Sequence, residues 1–134
     1  MKSAEKTSPF IGCWDTKWTT CNGNKAAGAR LAMKPDAVTP GQFTGAWGGH
    51  TDNDGYEHSG FLIGRLDKTG KTLAGTWYEL IYKDHLTCPT LSYSGTFSFT
   101  LTSNDSFDGV WTDKDGPSKD CPTKMQWDGN RAIN

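Results

Sequence analysis

Glu79 is the carboxylate with the most chemical promise, because it follows a tryptophan by two positions in Trp77-Tyr78-Glu79-Leu80-Ile81. In a strand, side chains alternate between faces, so Trp77 and Glu79 share one. A carboxylate among indole rings loses solvation, which favours its neutral form and suits it to general acid or base work. The same position also suits a ligand anchor or a carboxylate at a wet rim. A turn centred near Thr69 and Gly70 would pair Leu62 with Trp77 and Gly60 with Glu79. His58 then lies diagonal to Glu79 on the same face, within reach of a long side chain. Glu79 and His58 are therefore the candidate catalytic pair.

The second constellation is aromatic. Phe43-Thr44-Gly45-Ala46-Trp47, Leu73-Ala74-Gly75-Thr76-Trp77 and Phe107-Asp108-Gly109-Val110-Trp111 repeat one pattern, apolar-x-Gly-x-Trp. Ile11-Gly12-Cys13-Trp14 and Trp127-Asp128-Gly129-Asn130-Arg131 are looser relatives. The alternation puts the apolar residue, the glycine and the tryptophan of each copy on one face. Glycine between two large residues makes room where a small barrel curves or narrows. The expected ligand-binding set is Trp18, Trp47, Trp77, Glu79, Tyr93, Phe97 and Trp111. Rings supply apolar area at low entropy cost, and indole keeps a polar tip to orient a ligand. A solid core of the same rings is the competing reading.

The chain has four cysteines. Cys21, Cys88 and Cys121 fall in long connectors at one end and are disulfide candidates, with one bridge expected through Cys121. Cys13 lies in the first strand, on the face opposite Trp14. The three histidines, His50, His58 and His85, gather at the same end, but no tight ligand spacing occurs, so no metal is expected. Asp52-Asn53-Asp54-Gly55 resembles the start of a calcium loop without its trailing glutamate and reads as a solvated turn. No cofactor motif is present, neither a phosphate loop nor a nucleophile elbow.

These residues need a scaffold, and the pattern of the chain supplies one. The 134 residues suit one domain: an extended or disordered segment over 1–9 and a barrel domain over 10–134. Apolar residues alternate and turn clusters punctuate them, which marks half-buried strands. Eight strands follow: Phe10–Trp18, Lys25–Met33, Gln42–Gly48, His58–Leu66, Thr72–Tyr82, Leu91–Thr102, Ser106–Asp113 and Lys124–Ile133. Short connectors alternate with long ones, so one end of a meander is tight and the other carries loops. With no helix to cover the apolar face, closure into an all-β, eight-stranded antiparallel up-and-down β-barrel is expected.

Within that order of strands the chain resembles the calycin group, which includes avidin-like and lipocalin-like barrels. Gly12-Cys13-Trp14 is similar to the group's Gly-x-Trp in the first strand. Arg131 is similar to the basic residue that covers this tryptophan from the last strand, and Gly41-Gln42-Phe43-Thr44-Gly45 to the avidin third strand. The resemblance implies a barrel that holds a small molecule in its lumen. It does not extend to the avidin ligand set: the fourth strand offers Gly64 and Leu66 in place of a lumen tryptophan, and Trp47 stands where avidins have tyrosine.

Charge and hydropathy narrow the partners. The net charge is -1 and the 14 basic residues are scattered, which argues against nucleic acid. No run approaches the roughly 20 apolar residues of a spanning helix. The first residues hold no apolar run, so a cytoplasmic protein is expected if the chain is whole, and a secreted one if a signal peptide was removed. Opposite the lumen face, Phe61, Ile63, Tyr78, Leu80 and Tyr82 form an outer apolar stripe, the expected contact of a homo-oligomer. The leading functional expectation is a small hydrophobic or aromatic molecule bound in the lumen. Two alternatives stand beside it: a barrel-type cyclase or isomerase using Glu79 as acid or base, and an interaction module with a filled lumen.

Overall fold

The computed structural model describes residues 8–19, 28–84, 86, 88–113 and 125–132. Eight strands form: β1 (Gly12–Trp18), β2 (Arg30–Pro35), β3 (Gln42–Thr51), β4 (Glu57–Leu66), β5 (Thr72–Tyr82), β6 (Thr90–Ser103), β7 (Ser106–Asp113) and β8 (Met125–Arg131). Each pairs antiparallel with the next, and β8 pairs with β1, so the sheet closes in sequence order. Closure removes the free edges that an open sheet would present. Among the described residues no helix occurs. The all-β, eight-stranded antiparallel barrel read from the sequence is the fold.

Strand limits shift locally. β2 begins at Arg30 rather than Lys25 and runs through Lys34 and Pro35, which read as a connector. Pro35 tolerates this place at a strand end, where its missing N–H costs no ladder bond. β3 continues past Gly48 to Thr51, because a bulge between Trp47 and His50 resets its register against β4 instead of ending it. A second register shift falls opposite Glu79 and Leu80, where β6 carries an extra residue between their partners Tyr93 and Leu91. Bulges bend a strand and re-aim side chains near its end.

The lumen fills from the tight end upward. Phe10 and Trp14 are fully buried, and the Trp14 indole N–H donates to the Phe10 carbonyl at 2.9 Å. The Arg131 guanidinium lies 4.1 Å from the Trp14 ring centre, a cation–π contact. It also donates to the carbonyls of Ile11, Pro9 and Asn104, which ties both chain ends and the β6–β7 turn together. Above this plug, Phe99 stacks on Phe107 at 4.3 Å and meets Trp127 edge-on at 5.0 Å. Phe43, Leu31, Leu62 and Leu73 complete the layer, all fully buried.

The glycines let large rings lie flat against the wall. A side chain at Gly60 would occupy the space of the Trp47 indole from the neighbouring strand, and one at Gly129 that of the Phe107 ring. Gly95 leaves the Trp77 Nε1 a path across β6 to the Thr112 carbonyl on β7, 3.0 Å away. At Gly60 and Gly129 glycine thus recesses one strand beneath a ring of the next, while at Gly49, Gly75 and Gly109 it admits a neighbouring strand's carbonyl.

Candidate functional site

Odd-numbered strands run toward the end that carries the longer loops, and each carries one tryptophan in its middle or second half that faces the cavity. Trp18, Trp47, Trp77 and Trp111 share this level on β1, β3, β5 and β7. With Trp127 and Glu79 they line a cavity of about 110 Å³ at the mouth of the barrel. The lumen is therefore packed ring on ring in its lower layers and open only at the top.

Ring geometry fixes the walls. Trp77 meets Trp111 at 5.5 Å and 82°, and Trp47 meets Trp127 at 5.4 Å and 88°. Trp18 meets Trp127 at 6.1 Å and 72°. Perpendicular pairs of this kind are favoured by the indole quadrupole. Two indoles are further pinned by hydrogen bonds to main chain, Trp77 to Thr112 and Trp111 to the Thr19 carbonyl at 3.2 Å. The Trp127 Nε1 is buried with no acceptor among the described residues.

The expected register of β4 and β5 is observed: Leu62 faces Trp77 and Gly60 faces Glu79. His58 lies diagonal to Glu79, with Nδ1 at 3.7 Å from the Glu79 Oε2. Its other nitrogen, Nε2, lies 2.8 Å from the Asp52 Oδ2. The Asp52 side chain is itself oriented by the β3–β4 hairpin. Its Oδ1 accepts the N–H groups of Asp54 and Tyr56, each at 2.9 Å. Gly55, at a φ of 86°, closes that turn in a conformation other residues rarely adopt. The segment that resembled part of a calcium loop is thus a turn that aims one carboxylate at His58. Among the described residues no group of three or more metal-ligating side chains is assembled.

The electrostatics follow from these contacts. The hydrogen bond to Asp52, aided by the charge of Glu79, holds the His58 imidazolium above its usual range. The bond from His58 and the Tyr56 N–H hold the Asp52 carboxyl below its usual range. Glu79 keeps about 25 % of its side chain exposed and has a histidine beside it. It lines the cavity with the indoles, yet it is not the fully dry carboxyl that the sequence suggests.

The remaining expected site residues separate by depth. Tyr93 pairs with Glu79 in register but is 50 % exposed, so it stands at the rim and not on the cavity wall. Phe97 lies a layer deeper, 3 % exposed and 4.7 Å from Phe99. Trp127 and Asp52 are the residues the sequence reading missed. Trp127 shares a face with Arg131, whose position over Trp14 marks that face as inward. Asp52 carried only the signal of an Asp-x-Asp-Gly turn six residues before a histidine.

Cys88 is exposed and Cys13 half-buried, and neither is bridged to another described residue. Cys21 and Cys121 lie outside the described residues, as does His85. On the outer wall Phe61 stacks on Tyr78 at 4.8 Å and 20°. Ile63 is 38 % exposed beside them, whereas the Tyr82 hydroxyl turns to donate to Glu57 at 3.1 Å.

No protein-family model matches the chain, and no curated protein does. Among solved structures, a redesigned β-barrel is similar at a TM-score of 0.68 and 19 % identity, covering 96 % of each chain. Similarity at that identity speaks to the fold alone.

Proposed function

We propose that this barrel binds a small, mainly apolar molecule in the aromatic cavity at its mouth, in the manner of calycin-like carriers. The observation that carries the reading is that five of the six tryptophans surround one cavity while the sixth, Trp14, plugs the opposite end. A core needs no such separation, and concave sites lined by rings with one or two polar groups are the usual form of a ligand pocket. The covering of Trp14 by Arg131 supports the calycin-like assignment. Titration with small aromatic probes such as indole and naphthalene tests the reading through tryptophan emission. Saturable quenching that weakens in Trp111→Ala supports it. No response from any probe refutes it.

A second reading is favoured by His58, which stands between two carboxylates, hydrogen-bonded to Asp52 and 3.7 Å from Glu79. Glu79 would then move a proton on a bound substrate, as a cyclase or isomerase does, with positioning supplying much of the rate. Conversion of a flexible hydrophobic precursor, lost in Glu79→Gln, would support it. The stacked Phe61 and Tyr78 with Ile63 and Leu80 are proposed as a contact between copies of the chain, which a monomeric mass by light scattering would refute.

A further inference from the structure

One indole of the cavity wall holds a donor with nothing to bond. Trp127 lines the cavity and is 5 % exposed, and its Nε1 is shut from solvent with no hydrogen-bond partner. Among the described residues no other buried side-chain nitrogen or oxygen is left this way. Native interiors rarely keep such a group, because a buried N–H without an acceptor has lost its water and gained no bond in return.

The neighbouring indoles show what this donor lacks. Trp77 and Trp111, in the same wall, donate to the carbonyls of Thr112 and Thr19, and Trp14, in the plug, to that of Phe10. Those bonds fix the tilt of each ring. The Trp127 ring is held by packing, edge-on to Trp47 at 5.4 Å and 88° and to Phe99 at 5.0 Å and 85°. Perpendicular packing offers an N–H at most a ring face, a much weaker acceptor than oxygen.

We infer that the ligand carries an uncharged, carbonyl-type oxygen, which accepts the Trp127 Nε1 hydrogen bond as that ring tilts toward the cavity. This deepens the proposed binding function and rests on it. The indoles strip water from whatever enters, and a neutral oxygen bonded to one N–H costs less to bury there than an anion. The ring faces of the wall take the apolar body. At about 110 Å³ the cavity is on the scale of those that admit a single benzene ring. The end of the ligand that enters is therefore one ring or a short chain beside the carbonyl, and any longer part leaves through the mouth.

The test is a pair of near-isosteres, acetophenone and α-methylstyrene, in which a carbonyl oxygen is exchanged for a methylene carbon. Both are titrated into the full chain labelled with ¹⁵N, and the indole N–H resonances are followed. Acetophenone is expected to move the Trp127 indole proton downfield, the sign of a new bond to oxygen. α-Methylstyrene, which brings the same ring without the acceptor, is expected to produce no such displacement. The ratio of ketone to alkene affinity is expected to fall about fivefold in Trp127→Phe, which keeps a ring and removes the donor, the scale of one hydrogen bond. The resonance comparison needs only the unmodified protein, so it stands even if the variant does not fold. A Trp127 proton that responds alike to both compounds, or an unchanged ratio in a folded variant, overturns the acceptor inference and leaves the cavity reading standing. Binding of indole or naphthalene without binding of acetophenone does the same. Failure of both isosteres and of the aromatic probes overturns both.

Discussion

The Trp47 indole lies across Gly60, filling the space that any side chain at position 60 would need. β3 and β4 are directly paired there, so neither strand can move aside without losing the ladder. Gly60→Ala should therefore displace the indole into the cavity and destabilise the fold by about 1–3 kcal/mol, the range for overpacking. Gly48→Ala is the control, since no atom stands within 4 Å of a Cβ there, and its effect should stay within about 0.5 kcal/mol. Urea midpoints of the two variants check this.

Arg131 closes the tight end by covering Trp14 and donating to three carbonyls from both sides of the barrel seam. Arg131→Ala leaves those acceptors and the ring without their partner and should cost about 2–3 kcal/mol. Arg131→Lys should recover only part, because an ammonium cannot fork to several carbonyls while stacking on a ring. Chemical denaturation measures both, and a full recovery by lysine would contradict this account of the plug.

Stability should vary with pH through the His58–Asp52 contact. The folded state raises the His58 value above 6.5, so its contribution is complete below 6.5 and fades as pH rises through the folded value. The folded state lowers the Asp52 value below 3.8, so its contribution is present above 3.8 and fades as pH falls through the folded value. The hairpin is best held between those limits. Asp52→Asn should flatten the alkaline decline, read as urea midpoints from pH 5 to 9. Among the described side chains, Asp52 from the hairpin and Glu79 from β5 bear on His58.

Thiol exposure separates the cysteines. Cys88 is exposed and Cys13 half-buried, so maleimide labelling of the native, unreduced protein should modify Cys88 first. Peptide mapping checks the order. A Cys88 that resists labelling until reduction would restore it to a disulfide.

The scaffold was legible because its signals are local and repeated. The Asp67 to Lys71 turn is short, and a short turn leaves one register for β4 against β5, which put Glu79 beside His58. The parity of Phe43, Leu73 and Phe107 with their tryptophans named the inward face, and all three are buried. What was not legible depends on bulges and side-chain geometry. The extra residue of β6 falls between Leu91 and Tyr93, both exposed, and no residue type there signals a bulge. In β8 the glycine follows the tryptophan instead of preceding it, so Trp127 stood as a looser relative of the repeat and outside the expected binding set, although it forms part of the cavity lining. The role of Asp52 depends on which backbone groups its carboxylate meets, and a solvated turn of the same composition looks identical in sequence.

The most direct measurement is the set of six indole N–H resonances in a ¹⁵N-labelled sample, followed while the aromatic probes are titrated. Trp18, Trp47, Trp77, Trp111 and Trp127 should shift together and saturably, while Trp14, beneath Arg131 at the far end, stays fixed. Resonances that never move with any probe, or a Trp14 that moves as much as the other five, would contradict a binding cavity at the mouth of this barrel.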